Sequence, residues 1–122
     1  MVKLESLKES NQFWKALKEK KIHTDYFSIF AAKNFIKPKH KDNLLISFVM
    51  KKKIGNAVKR NKIRRKLKAN VQKILKKRGA INKDYTYIVF GKSNAFAQKQ
   101  DVLLPLMEKS FSELKKIKWK KF

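Results

Sequence analysis

The chain has 122 residues, 33 of them Lys or Arg against 9 Asp or Glu, and a formal net charge of +24 at pH 7. Cysteine is absent, which excludes disulfides, Cys-ligated zinc and thiol catalysis together. No stretch approaches the ~20 apolar residues of a membrane-spanning helix, while 43% hydrophobic residues and nine Phe support a packed core in a single domain over 1–122. Self-repulsion of this size destabilises a compact state unless a polyanion neutralises it, and nucleic acid is the commonest such partner. The opening Met1 to Ser6 lacks the apolar core of a secretory signal, so the expected location is the cytoplasm.

In chain order, residues 10–20 read as a short helix capped by Ser10 or Asn11, with Phe13, Trp14 and Leu17 on one face. Asp25 to Ala32 is rich in aromatics and reads as a strand. Alternation along it sends Tyr26, Ser28 and Phe30 to one side and Phe27, Ile29 and Ala31 to the other. Lys37 to Asn43 is a polar loop around Pro38. Leu44 to Met50 is a continuous apolar run, suited to a strand covered on both faces. These two strands are expected to pair as an antiparallel hairpin, with room for one more short strand between residues 32 and 44.

Between Asp42 and Asp84 there is no acidic residue and there are fifteen Lys or Arg. The spacing predicts a helix over 57–78, with Asn56 as N-cap after Gly55 and Gly79 just past its end. On a helical wheel Ile63, Leu67, Val71, Ile74 and Leu75 gather on one side. Asn61, Arg64, Arg65, Lys68 and Gln72 make a neighbouring polar stripe, and Lys59, Lys62 and Lys66 flank the other edge. A solvated helix face normally mixes Glu with Lys, since pairs four residues apart relieve repulsion. Here the repulsion is unrelieved, which points to phosphate contact. Tyr85 to Phe90 reads as another strand, and residues 102–118 as a last helix. Asp101 would cap that helix, Pro105 would fall in its first turn, and Leu103, Met107, Phe111 and Leu114 would form its buried stripe.

Catalytic constellations are missing from this pattern. The nine carboxylates are scattered, with no paired or two-metal spacing. His23 and His40 fall in expected loops and read as solvated surface residues, and the isolated Gly55, Gly79 and Gly91 make no phosphate loop. Binding residues are another matter. Lys51 to Lys53 stand beyond a strand end, and a strand face carrying Phe30 and Ser28 suits stacking of single-stranded bases.

Lys52-Lys53-Ile54-Gly55-Asn56-Ala57-Val58-Lys59-Arg60-Asn61-Lys62-Ile63-Arg64-Arg65, followed by Leu67-Lys68, closely resembles the signature segment of the bacterial ribonuclease P protein subunit. The order of elements agrees over roughly residues 4–118, including Ser110-Phe111-Ser112-Glu113-Leu114 on the last helix. The resemblance implies an α/β fold, an α+β two-layer sandwich like domain 2 of ribosomal protein S5, in the order α-β-β-β-α-β-α. It also implies a left-handed crossover around the basic helix, against the usual rule. The implied partners are the RNase P RNA subunit, which carries catalysis with Mg²⁺ bound mainly by RNA and substrate, and precursor tRNA; no small-molecule cofactor is implied. Carried over by position, Lys52, Lys53, Asn56, Arg60, Asn61, Arg64, Arg65 and Lys68 would face RNA. Phe13, Leu17, Ser28 and Phe30 would line a cleft for the 5′ leader.

Leu17 stands where the family usually has Phe, Phe30 where it often has Tyr, and Lys68 where the motif ends in Arg, exchanging a bidentate donor for a point charge. Lys51 replaces a common Ser or Gly. Composition alone also fits a ribosomal or RNA-chaperone protein and a nucleoid DNA binder. The Gly-Asn-Ala-Val segment and the aromatic cleft positions favour the ribonuclease P reading.

Overall fold

The computed structural model describes residues 4–6, 20–33, 39, 42–77, 81 and 84–116. The helix expected over residues 10–20, with Phe13 and Leu17, lies outside the described residues except for Lys20, as does His40. Five strands, β1 (Leu4–Glu5), β2 (Lys20–His23), β3 (Phe27–Lys33), β4 (Leu44–Val49) and β5 (Tyr85–Gly91), form one sheet in the order β1-β4-β5-β3-β2. Helix α1 (Ala57–Leu75) crosses from β4 to β5, which run parallel, and α2 (Gln100–Lys116) follows β5.

One layer of the sandwich is legible in the alternation of each strand. Phe27, Ile29 and Ala31 of β3, Leu44 and Ile46 of β4, and Tyr87 and Val89 of β5 are buried toward the helices. Ile63, Leu67, Val71 and Ile74 of α1 and Leu103, Met107, Phe111 and Leu114 of α2 cover them, as both wheels predict. Each fully buried side chain of this kind is worth about 1.5–3 kcal/mol, so this interface holds the fold together. Leu45, Ser47, Thr86 and Ile88 are buried on the opposite face, as expected for strands with parallel neighbours.

Three expectations need correction. First, β3 and β4 are not a hairpin, because β5 lies between them, antiparallel to β3 and parallel to β4. Most of its seven residues are buried, which suits the centre of a sheet. The local hairpin is β2–β3, closed by Thr24, whose Oγ accepts from the backbone N–H of Tyr26 at 3.2 Å and of Phe27 at 3.1 Å.

Second, Lys20 begins a strand, β2, rather than ending a helix; the short strand expected between residues 32 and 44 falls almost wholly outside the described residues. Lys20 is buried, with its ammonium 3.4 Å from the Tyr85 hydroxyl and 4.9 Å from that ring's centroid.

Third, α2 begins at Gln100, so Asp101 sits inside its first turn and Pro105 inside the helix. Asp101 there complements the helix dipole, while Pro105 removes one internal hydrogen bond. Helix α1 ends at Leu75 rather than 78, with Lys76 at its C-terminal cap.

Two contacts fix α1 against its surroundings. A Cβ on Gly91 would collide with Met50 Sδ and lie 2.8 Å from Ile63 Cγ2, so the helix approaches β5 closely there. Asn70, fully buried, donates from Nδ2 to the Gln100 carbonyl at 3.1 Å and ties α1 to the start of α2.

Candidate nucleic-acid interface

The strand-to-helix passage from β4 to α1 builds the cationic part of the site. After β4 the chain makes a single 3₁₀ turn, Lys52–Ile54, leaving Lys51, Lys52 and Lys53 exposed. Gly55 follows at φ 154° and ψ −162°, a region essentially reserved for glycine, and a Cβ there would meet Lys59 Cδ at 2.8 Å. Asn56 then caps the helix, its Oδ1 accepting from the Lys59 backbone N–H at 2.9 Å. The residue expected to face RNA thus has one side-chain atom committed to starting the helix.

Along α1 the expected stripe is present. Asn61, Arg64, Arg65 and Lys68 are exposed, and Arg60 is half-buried with Nε 3.4 Å from the Asn56 carbonyl. Arg64 donates to Asn61 Oδ1 at 2.9 Å, which orients its guanidinium along the helix. The ion pairs Lys77–Glu108 at 3.0 Å and Lys109–Glu113 at 4.0 Å involve none of these side chains. The charge on the stripe is therefore unneutralised among the described residues.

The opposite edge of α1 does different work. Lys66 sends its ammonium to the carbonyls of Ala95, Phe96 and Gln98, the last at 2.8 Å. Lys59 donates to Ser93 Oγ at 2.9 Å, and Lys59, Lys62 and Lys66 all lie 5.2–5.9 Å from the Phe96 ring centroid. Burial, and then the charge of Lys62, hold Lys66 below the ordinary lysine range. These lysines pin the loop after β5 to the helix.

On the sheet face away from α1 and α2, His23, Ser28, Phe30, Phe90, Lys51, Lys53, Ile54, Gly91, Lys92 and Ser93 surround a cleft of about 810 Å³. Ser28 and Phe30 come together in it as the strand alternation predicts, and Lys53 joins them from the cationic turn. The cleft and the stripe are therefore continuous through residues 51–56. His23 is a correction: it lies in β2 rather than a loop, with Nδ1 2.7 Å from Ser28 Oγ and its ring edge-on to Phe30. Phe90 and Lys92 were not expected at the site. The alternation of β5, which puts Phe90 on the face of Thr86 and Ile88, was the signal available for the first.

Sheet, helices and surface together define a small basic α/β protein that carries an acid-free helix beside an aromatic cleft. The sequence profile of the Ribonuclease P family matches residues 1–115, and the chain belongs to that family. Its fold is similar to that of the solved RNase P protein of Staphylococcus aureus, with a TM-score of 0.63 at 23% identity over 91% of this chain and 92% of that one. The RNase P protein from Thermotoga maritima matches with a TM-score of 0.61 at 25% identity, covering 93% of this chain and 98% of that one. No curated protein sequence matches.

Proposed function

We propose that this chain is the non-catalytic partner of an RNA enzyme in the bacterial cytoplasm. In this reading the stripe of Arg60, Asn61, Arg64, Arg65 and Lys68 binds the RNase P RNA subunit. The cleft of Ser28 and Phe30 receives the single-stranded 5′ leader of precursor tRNA. The complex then removes that leader by Mg²⁺-dependent endonucleolytic cleavage to give the mature 5′ end. The observation that carries the reading is the continuity of cleft and stripe: bases can rest on Phe30 while phosphates meet Lys53 and its neighbours.

Mg²⁺ takes hard oxygen ligands such as carboxylates. Among the described residues no three His, Cys, Asp or Glu side chains come together, and the cleft offers Lys, Ser, Phe and His. That donor set does not fit the ion, so in this reading Mg²⁺ is held by the RNA subunit and the substrate. The protein's own share is grip and orientation.

Purified protein should cleave nothing alone; with its RNA subunit it should bind precursor more tightly than mature tRNA. Phe30→Ala should weaken precursor binding about 5- to 100-fold, the value of one stacked base, and leave mature tRNA binding nearly unchanged. Equal loss for both substrates with a lowered melting temperature would instead make Phe30 a core residue.

A further inference from the structure

The loop after β5, residues 92–99, is bonded on two sides. On one side it meets α1. Lys66 Nζ donates to the carbonyls of Ala95, Phe96 and Gln98, at 3.3 Å for the first and 2.8 Å for the last, and Lys59 Nζ donates to Ser93 Oγ at 2.9 Å. An ammonium has three N–H donors and no acceptor, so Lys66 spends all of them on backbone and keeps none for phosphate. On the other side the loop meets the β2–β3 turn. Lys92 donates to the Tyr26 carbonyl through its backbone N–H at 2.9 Å and to the Thr24 carbonyl through Nζ. Asn94 Nδ2 donates to the Asp25 carbonyl at 3.2 Å, and Gln98 Nε2 to the Tyr26 hydroxyl at 3.3 Å. Gln98 thus joins both sides by itself, with its carbonyl on Lys66 and its side chain on Tyr26.

Lys92 and Ser93 of this loop also line the cleft. Ser93 is held from α1 by Lys59, and Lys92 is held from the turn that closes the β2–β3 pair carrying Ser28 and Phe30. Three carbonyl oxygens aimed at one point repel one another unless a cation lies among them. In potassium-selective pores such oxygens replace the water shell of the ion; here the cation is an ammonium tethered to the helix. Without it nothing holds the three carbonyls together, and one wall of the cleft loses its fixed position relative to α1.

We infer that the loop between β5 and α2 is a brace that sets the cleft relative to the cationic helix, with Lys66 as its positioning residue. Lys66 acts through the loop rather than on a substrate: its ammonium fixes the carbonyls, and the loop fixes Lys92, Ser93 and the β2–β3 turn. The inference rests on the leader reading above and deepens it, because the spacing between the surface for the RNA subunit and the surface for the leader is then set inside the protein.

The test measures precursor and mature tRNA binding to holoenzymes made with wild type, Lys66→Ala, Gln98→Ala and the double variant, with a melting temperature for each protein. Each single variant should reduce the preference for precursor by about 2- to 30-fold, the range for residues that couple two sites without touching a ligand. Mature tRNA binding should stay near wild type. The double variant should lose no more than the worse single one, since a brace cut on one side is already slack. Ammonium chloride, which supplies the missing N–H donors, should restore the preference of Lys66→Ala relative to wild type in the same salt. Tetramethylammonium chloride, which has no N–H, should not. Gln98→Ala leaves the three carbonyls on Lys66, so it carries the test where Lys66→Ala fails to fold. An unchanged preference in Gln98→Ala, equal loss for both tRNAs, additive losses in the double variant, or a Lys66→Ala defect that ammonium leaves unrepaired overturns the brace. If wild type holds precursor no better than mature tRNA, it is the leader reading itself that fails.

Discussion

The ammonium of Lys66 lies 2.8 Å from the carbonyl oxygen of Gln98, a residue 32 positions further along the chain, and the carbonyls of Ala95 and Phe96 converge on the same group. One side chain of the cationic helix thus serves as the clasp of the β5–α2 loop. Hydrogen bonds to a charged group are worth about 1.5–3 kcal/mol, offset in part here by the cost of burying the charge beside Lys62, so Lys66→Met should lower stability by less than that, read from urea unfolding. Burial and Lys62 lower this ammonium's titration point. Because the folded state releases that proton at lower pH than the unfolded chain, the charged form costs stability below the lowered value. The cost is relieved as pH rises toward the ordinary lysine value. Lys62→Gln should move the Lys66 titration, followed by NMR, back upward.

Gly55 and Asn56 set where α1 starts, and their substitutions should separate backbone from cap. Asn56→Ala removes the acceptor for the Lys59 N–H and should cost about 0.5–2 kcal/mol, whereas Asn56→Asp keeps the cap. Gly55→Ala should cost about 1–3 kcal/mol for its backbone region. Denaturant midpoints measure both. A neutral Gly55→Ala would mean that the turn rearranges.

For the stripe, Arg64→Ala and Arg65→Ala should each flatten the log–log salt dependence of RNA-subunit binding by about 0.7–0.9. Lys115→Ala on α2 is the control, with a smaller effect expected. Identical changes in all three would assign the affinity to bulk charge alone.

The parts of this architecture legible in the sequence are those fixed by local periodicity. Ile63, Leu67, Val71 and Ile74 recur at helical spacing, and all four are fully buried; Asn56 and Gly55 announce the helix start through their own chemistry. Lys20-Lys21-Ile22-His23 has no strand signature, and it is a strand because β3 lies beside it. The placement of β5 between β3 and β4 is a long-range choice that no window of residues encodes. The misreading of His23 follows directly: as part of an expected loop it had no neighbours, and as the partner of Ser28 it stands at the wall of the cleft. Asn70 escaped for a related reason, since a polar residue on a wheel reads as exposed until the carbonyl it meets is known.

The central position of β5 bears on how the molecule is made. The β2–β3 hairpin and the β1–β4 pair are joined only through β5, which follows α1 in the chain. During synthesis, α1 therefore leaves the ribosome before the strand that unites the two half-sheets and before the helix that packs beside it. At ~5–20 residues per second, the stretch from Leu75 to Lys116 takes about 2–8 s to appear. For that interval the apolar stripe of this acid-free segment lacks the central strand and the second helix that bury it in the finished fold.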